Sequence, residues 1–171
     1  MTLKPITKEN FNEYYALLEK DFILEERRVK QDELNQLNNS NFKPFFIYNE
    51  TQLIGYFTCW EFEDFIFGEH FAILQENRDR GIGTKFLKEY LFRLTKPFIF
   101  EIEKPVDATT KRRKRFYKRL NFKFNKFKYF QPSYHNATDK LEMVIVSYPK
   151  KLTKQEYLQY IEQVKKEVYK V

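Results

Sequence analysis

The stretch Arg78-Asp79-Arg80-Gly81-Ile82-Gly83-Thr84 constrains the fold most, because the segments flanking it have different hydrophobic periods. Before it, His70-Phe71-Ala72-Ile73-Leu74 is a mostly apolar run of strand length. After it, Ile82, Phe86, Leu87, Tyr90, Leu91 and Leu94 recur at the three- and four-residue spacing of a helix buried on one face. A strand must enter this loop and a helix must leave it. The chain has only four glycines, and two of them stand here.

Such a junction suits a pyrophosphate. The first turn of a helix leaves backbone N–H groups without intrahelical partners, and the aligned peptide dipoles place partial positive charge there. Anions bind such ends. Gly81 and Gly83 let phosphate oxygens approach the backbone with no Cβ in the way, while Arg78, Arg80 and Lys85 supply charge and Thr84 a hydroxyl. Two other phosphate loops do not match. No Gly-Lys-Ser/Thr follows the glycines, and the third glycine of the dinucleotide fingerprint is missing.

At 171 residues the chain is expected to form a single domain over 1–171, long enough to bury roughly 70% of its unfolded surface without staples. Cys59 is the only cysteine, no N-terminal apolar run of signal length is present, and no segment approaches the length needed to span a bilayer. A cytoplasmic protein with no membrane partner is the expectation, and in that compartment the sequons at Asn38, Asn49 and Asn136 carry no meaning. The net charge of +7 is local. Residues 111–128 hold ten Lys or Arg and no acid, so 31 less ten leaves 21 basic against 24 acidic residues elsewhere.

Along the chain, Thr2 to Ile6 reads as a strand, Thr7 as the cap of a helix carrying Phe11, Tyr14, Tyr15, Leu17 and Leu18, and Glu25 to Leu37 as a second helix. Phe45 to Tyr48 and Leu53 to Phe57, joined by Asn49-Glu50-Thr51, read as a hairpin. Phe65 to Leu74 is the next strand, then the Gly81 helix, then a strand from Phe98 to Ile102 after the Pro97 breaker. A helix from about Thr110 to Leu120 precedes two closing strands, Phe122 to Phe130 and Leu141 to Tyr148. Thr153-x-x-Glu156 is a capping box that opens a terminal helix over 153–170, with Tyr157, Ile161, Val164 and Val168 on one face. The order is βααβββαβαββα.

The spacing Arg-x-x-Gly-x-Gly at 78–83 matches the acetyl-CoA signature, Gln/Arg-x-x-Gly-x-Gly/Ala, of the GNAT superfamily of N-acetyltransferases, which the chain resembles over 1–149. Phe116-Tyr117-Lys118-Arg119-Leu120-Asn121-Phe122 is similar to that family's second signature, Phe/Leu-Tyr-x-x-x-Gly-Phe, and the element order is also the family's. Asn121 stands where the signature has glycine, a mild change because Asn enters φ > 0 readily. Asp79 places a carboxylate in the loop, which weakens cofactor affinity unless it faces solvent or pairs with a neighbouring Arg. Phe22-x-x-Glu25-Glu26-Arg27-Arg28, Glu69-His70-Phe71-Ala72, Glu101-Ile102-Glu103-x-Pro105 and Gln131-Pro132-x-Tyr134 resemble strings of a subgroup of small bacterial members.

The resemblance implies an α/β (α+β) GNAT fold, with a mixed, mostly antiparallel central sheet of about seven strands flanked by helices and with an added C-terminal helix. It implies acetyl-CoA as co-substrate, no metal, and direct attack by a primary amine of a small-molecule or peptide acceptor. Arg78, Arg80, Gly81, Ile82, Gly83 and Thr84 would bind the cofactor, and the backbone N–H near Ile73 would hold the thioester carbonyl. Tyr117 takes the family's general-acid position, protonating the departing thiolate. A base must deprotonate the acceptor ammonium. Glu69 is the first choice; His70 is second because strand alternation puts it on the opposite face, and Glu61 and Glu101 are in reserve.

Other chemistries fit less well. Two histidines far apart and one cysteine make no metal-ligand cluster of familiar spacing, and Cys59 beside Trp60 reads as core. The rival class is a nucleic-acid-binding module using the 111–128 patch, where Phe116, Tyr117, Phe122, Phe124 and Phe127 interleave with cations. A GNAT fold that binds an acyl-CoA as a sensor without turnover is a third reading. The sequence leaves the acceptor and the oligomeric state open.

Overall fold

The computed structural model describes residues 1–135 and 140–171, so the Asn136 sequon lies outside the described residues. The strands are β1 (Thr2–Pro5), β2 (Phe42–Asn49), β3 (Gln52–Glu61), β4 (Ile66–Ile73), β5 (Phe98–Glu103), β6 (Lys123–Phe124), β7 (Tyr129–Pro132) and β8 (Lys140–Tyr148). The helices are α1 (Phe11–Asp21), α2 (Lys30–Gln36), α3 (Ile82–Phe92), α4 (Ala108–Arg119) and α5 (Lys154–Val164), the last continuing as a π-helical turn, Lys165–Tyr169. One eight-stranded sheet runs in the order β1-β2-β3-β4-β5-β8-β6, with β7 also paired to β8. β4 and β5 pair in parallel and the other pairs are antiparallel. Among the described residues no helix is long and apolar enough to cross a membrane.

The strands' alternation sorts the core onto two faces. On one face Phe57, Cys59, Phe98, Phe100 and Val146 pack against Phe86, Leu87 and Leu91 of α3 and Leu120 at the end of α4. On the other, Phe46 and Tyr56 pack against Tyr14, Tyr15 and Leu18 of α1, while Trp60, Phe67 and Ile145 pack against Tyr160, Ile161 and Val164 of α5. The terminal helix therefore covers this chain's own sheet.

Three expectations change. α1 begins at Phe11 behind Asn10 rather than at Thr7, and the Asn10 side chain accepts a hydrogen bond from the Thr7 N–H. The helix expected over Glu25 to Leu37 is only Lys30–Gln36. Leu24–Glu26 forms a separate 3₁₀ turn, and the Arg28 carbonyl accepts from Tyr15 Oη, so this backbone bonds to α1 instead of to itself. The strand expected from Phe122 to Phe130 is two short pieces, β6 and β7. Between them Asn125 keeps a backbone bond to the Ile145 carbonyl, and its buried side chain adds bonds of its own, donating from Nδ2 to the same carbonyl and to Ser147 Oγ and accepting from the Leu152 N–H.

Candidate active site

The β4–β5 register runs from Ile66↔Phe98 to Gly68↔Phe100, although β4 continues to Ile73 and β5 to Glu103. Beyond that rung the two strands part. Gly68 leaves room for the Phe98 ring, because a Cβ there would stand 2.6 Å from Phe98 Cζ. Two cavities open at the divergence. One, of about 420 Å³, has Phe22, Glu26, Glu69, His70 and Glu101 in its wall; the other, of about 620 Å³, lies between the glycine loop and α4. Phe71, Ile73, Arg78, Arg113 and Tyr117 belong to both walls, so the cavities meet there.

The loop side is built from backbone. Gly81 is the N-cap of α3 with φ 73, in the left-handed region, and the space where its Cβ would sit is open. No side chain caps α3, and the first helical bond runs from the Lys85 N–H to the Gly81 carbonyl. The N–H groups of Ile82, Gly83 and Thr84 thus lack intrahelical partners, and all three residues line the larger cavity. By contrast, α4 and α5 close their ends with capping boxes, Asp107 with Thr110 and Thr153 with Glu156. The opposite wall is the face of α4 carrying Thr109, Arg112, Arg113 and Phe116, with Arg119 beyond. Asn77 in the same wall is buried, and its Nδ2 has no hydrogen-bond partner among the described residues.

The loop arginines divide. Arg78 reaches both cavities, but its Nε donates to the Ile73 carbonyl at 2.7 Å and its Nη2 pairs with Asp21 at 2.6 Å. Arg80 is exposed and outside both walls. Asp79, with φ 61, pairs with Arg112 at 3.4 Å, both side chains largely exposed. The Leu74 N–H donates to the Ile54 carbonyl on β3, so strand alternation aims the Ile73 N–H to the side that β5 has left.

The smaller cavity holds the titratable groups. Glu69 is buried; its Oε1 pairs with Arg28 at 2.8 Å and accepts from Tyr134 Oη at 2.8 Å, and its Oε2 accepts from Trp60 Nε1 at 2.9 Å. Burial is the strongest single influence and would raise its pKa, but the charges of Arg28 and His70 and the hydrogen bonds from Arg28 and Trp60 together outweigh it and hold the carboxyl below the usual range. Arg28 also pairs with buried Glu33 at 2.9 Å. Glu101 differs in the charge of its partners. Its two oxygens accept from the phenols of Tyr129 and Tyr169, and no cation pairs with it among the described residues. Burial raises its pKa, the two phenols oppose that, Glu69 adds to it, and the result is about 7. His70 is held on both nitrogens. Its Nε2 lies 2.9 Å from the Glu26 carbonyl, which can only accept, and its Nδ1 lies 3.3 Å from Thr58 Oγ1. Glu61 lies outside both walls, paired with Lys96 at 3.8 Å.

Tyr117 is half-buried where the cavities meet. Its ring stands against Phe100 and Phe122, its hydroxyl has no hydrogen bond among the described residues, and burial raises its pKa to about 12. Asn121 supplies the turn that places it: with φ 65 it ends α4, its N–H bonding the Lys118 carbonyl and the Phe122 N–H the Tyr117 carbonyl. Among the described residues no group of three or more His, Cys, Asp or Glu could hold a metal ion.

Sequence reasoning did not single out Arg28, Tyr129 or Tyr169. A signal for part of this was present, because Arg28, Glu69, Glu101 and Tyr134 come one each from the four strings noted for their subgroup resemblance, and all four meet in one buried network.

A family model described as an acetyltransferase (GNAT) domain matches residues 41–124. A solved GNAT-family protein from Bacteroides thetaiotaomicron is 29% identical with a TM-score of 0.93, over 100% of this chain and 99% of that one. The ribosomal-protein-S18-alanine N-acetyltransferase of Escherichia coli has the same fold at 13% identity and a TM-score of 0.63, over 89% of this chain and 95% of that one. So has Arabidopsis thaliana NAA60, solved in complex with acetyl-CoA, at 14% identity and a TM-score of 0.63, over 86% of this chain and 97% of that one. No curated protein matches in sequence. Glycine loop, parting strands and the domain match over residues 41–124 agree, and the chain has the fold of the GNAT acetyltransferases to which it is similar.

Proposed function

We propose that this protein transfers an acetyl group from acetyl-CoA to a primary amine of a small-molecule or peptide acceptor by direct attack. The observation that carries this reading is the junction of the two cavities where β4 and β5 part. The phosphates of the cofactor would lie on the uncapped N-terminus of α3, with Arg112 and Arg119 facing them from α4. The thioester carbonyl would meet the Ile73 N–H, which stabilises the oxyanion as the amine attacks. Tyr117 would face the sulfur. Its phenol, at about 12, stays neutral and donates a hydrogen bond as charge builds on the leaving thiolate.

For the proton acceptor, Glu101 is favoured over Glu69. A base works best with a pKa near the working pH, and Glu101 at about 7 meets that condition, whereas the Arg28 pair makes Glu69 a weaker base. Glu69 then acts on Glu101 through its charge.

The first test is the melting temperature with and without saturating acetyl-CoA, with single-stranded RNA in parallel. Ligand at a hundred times its Kd adds about 2.7 kcal/mol of stability. An upward shift with acetyl-CoA supports the reading and justifies an amine screen. A shift with RNA alone would transfer the function to the basic patch.

A further inference from the structure

We infer that the C-terminal turn is part of the catalytic apparatus, with Tyr169 as a positioning residue that fixes the Glu101 carboxylate at the acceptor cavity; this rests on the reading of Glu101 as base. The turn Lys165–Tyr169 lies beyond the segment that the family model matches, yet two consecutive residues of it reach the two carboxylate centres. The Val168 carbonyl accepts from Arg28 Nη2 at 2.8 Å, beside the Arg28–Glu69 pair. Tyr169 Oη donates to Glu101 Oε2 at 2.7 Å. Both residues are buried. The turn is π-helical, a widening of the helix that recurs at functional sites.

The hydroxyl is itself oriented. Tyr169 Oη accepts from Gln131 Nε2 at 2.9 Å, which occupies a lone pair and leaves its proton for Glu101. Its ring lies 4.9 Å from that of Tyr134, whose hydroxyl donates to Glu69. The groups acting on Glu101 are then Tyr129 from β7, Tyr169 from the C-terminal turn and Glu69 from β4, with Arg28 and Tyr134 one contact further out. Tyr129 and Tyr169 donate one bond each to the two carboxylate oxygens, and Tyr169 alone of these donors comes from outside the sheet. Donation to a carboxylate favours its charged form, against burial and the nearby Glu69. Without the Tyr169 hydroxyl one of two opposing contacts is lost, and Glu101 holds its proton to higher pH.

The test is Tyr169→Phe in the full chain, which keeps the ring against Tyr134 and removes one oxygen. The carboxyl of Glu101 is followed by ¹³C NMR across pH 4 to 10 on glutamate-labelled protein, its signal assigned by loss in E101Q. The expected result is a higher titration midpoint in Y169F than in wild type with near-native spectra elsewhere. In turnover assays the acid limb of kcat/KM moves the same way, so activity falls several-fold at pH 6 and recovers above pH 9. Equal midpoints would overturn the inference. If Y169F fails to fold, Gln131→Leu, which leaves Tyr169 in place without its orienting donor, must shift the midpoint in the same direction, and an unchanged midpoint there overturns the inference too. The carboxyl titration needs neither acceptor nor acetyl-CoA. A wild type that acetyl-CoA does not stabilise would overturn the proposed function while leaving the titration readable.

Discussion

Glu69 and Glu101 both line the smaller cavity, and what separates them is the charge on their partners. Glu69 has a guanidinium; Glu101 has two neutral phenols. Two carboxylates whose surroundings push their pKa values apart are suited to different tasks. Glu101→Gln is expected to lower kcat/KM by about 10²–10⁴. Between pH 4.5 and about 7 the folded protein holds a proton on Glu101 that an unfolded chain, at 4.5, has released, so this group makes stability fall as pH rises through that window. E101Q should therefore melt no lower than wild type at pH 8, and a scan there separates lost chemistry from lost fold. Arg28→Ala is the opposite case, because it leaves Glu33 and Glu69 buried without their cation. Removing one partner of a buried pair costs about 3–5 kcal/mol, to be read by urea denaturation. That Glu69 lies on the strand leading into the glycine loop was legible in the sequence. The sign of its neighbour was not, because Arg28 precedes Glu69 by 41 positions and is brought to it only by the fold.

The order of elements was legible because most of them carry a local signal of their own: apolar runs of strand length in β2 to β4, a helical stripe in α3, a capping box in α5. Pattern failed where a side chain competes for backbone partners. Tyr15 takes the Arg28 carbonyl and shortens α2, and Asn125 divides one strand into β6 and β7. The glycine loop was legible as a helix entrance, since an αL residue before an apolar stripe admits few alternatives. The parting of β4 and β5 was not, because it is a relation between strands. Gly68 stands at the last rung before the strands part, and Gly68→Ala is expected to destabilise the protein by about 1–3 kcal/mol as the methyl meets the Phe98 ring. Ile66 and Phe67 should keep their pairing while the last rung opens, so amide exchange should rise first at the Gly68 end of the β4–β5 ladder. Uniform exchange rates along that ladder would count against this hinge.

At the scale of the whole molecule, the charge is placed as a ligand bearing phosphates would require. The excess of positive charge sits on α4 and the strand after it, and one face of α4 is a wall of the cavity that the glycine loop opens. The helix thus carries two sets of cations with separate tasks. Arg112 and Arg119 lie in the cavity wall, where they can touch phosphate, while Lys111, Arg115 and Lys118 are exposed outside it. Charges that touch a ligand act mainly on how slowly it leaves; charges around the site act on how fast it arrives, through a field that salt screens over a Debye length of about 8 Å at physiological ionic strength. Arg112→Gln combined with Arg119→Gln is therefore expected to raise the dissociation rate of acetyl-CoA. Replacing Lys111, Arg115 and Lys118 by Gln should instead lower its association rate and flatten the dependence of that rate on salt, leaving dissociation nearly unchanged. Stopped-flow binding at a series of salt concentrations measures both. Arg112 carries one further expectation, because it is also the partner of Asp79. If phosphate takes over that guanidinium, Asp79→Asn should tighten acetyl-CoA binding by removing the competing carboxylate. Unchanged affinity in D79N would mean that Arg112 stays with the loop and that, of these two arginines, only Arg119 meets the phosphates.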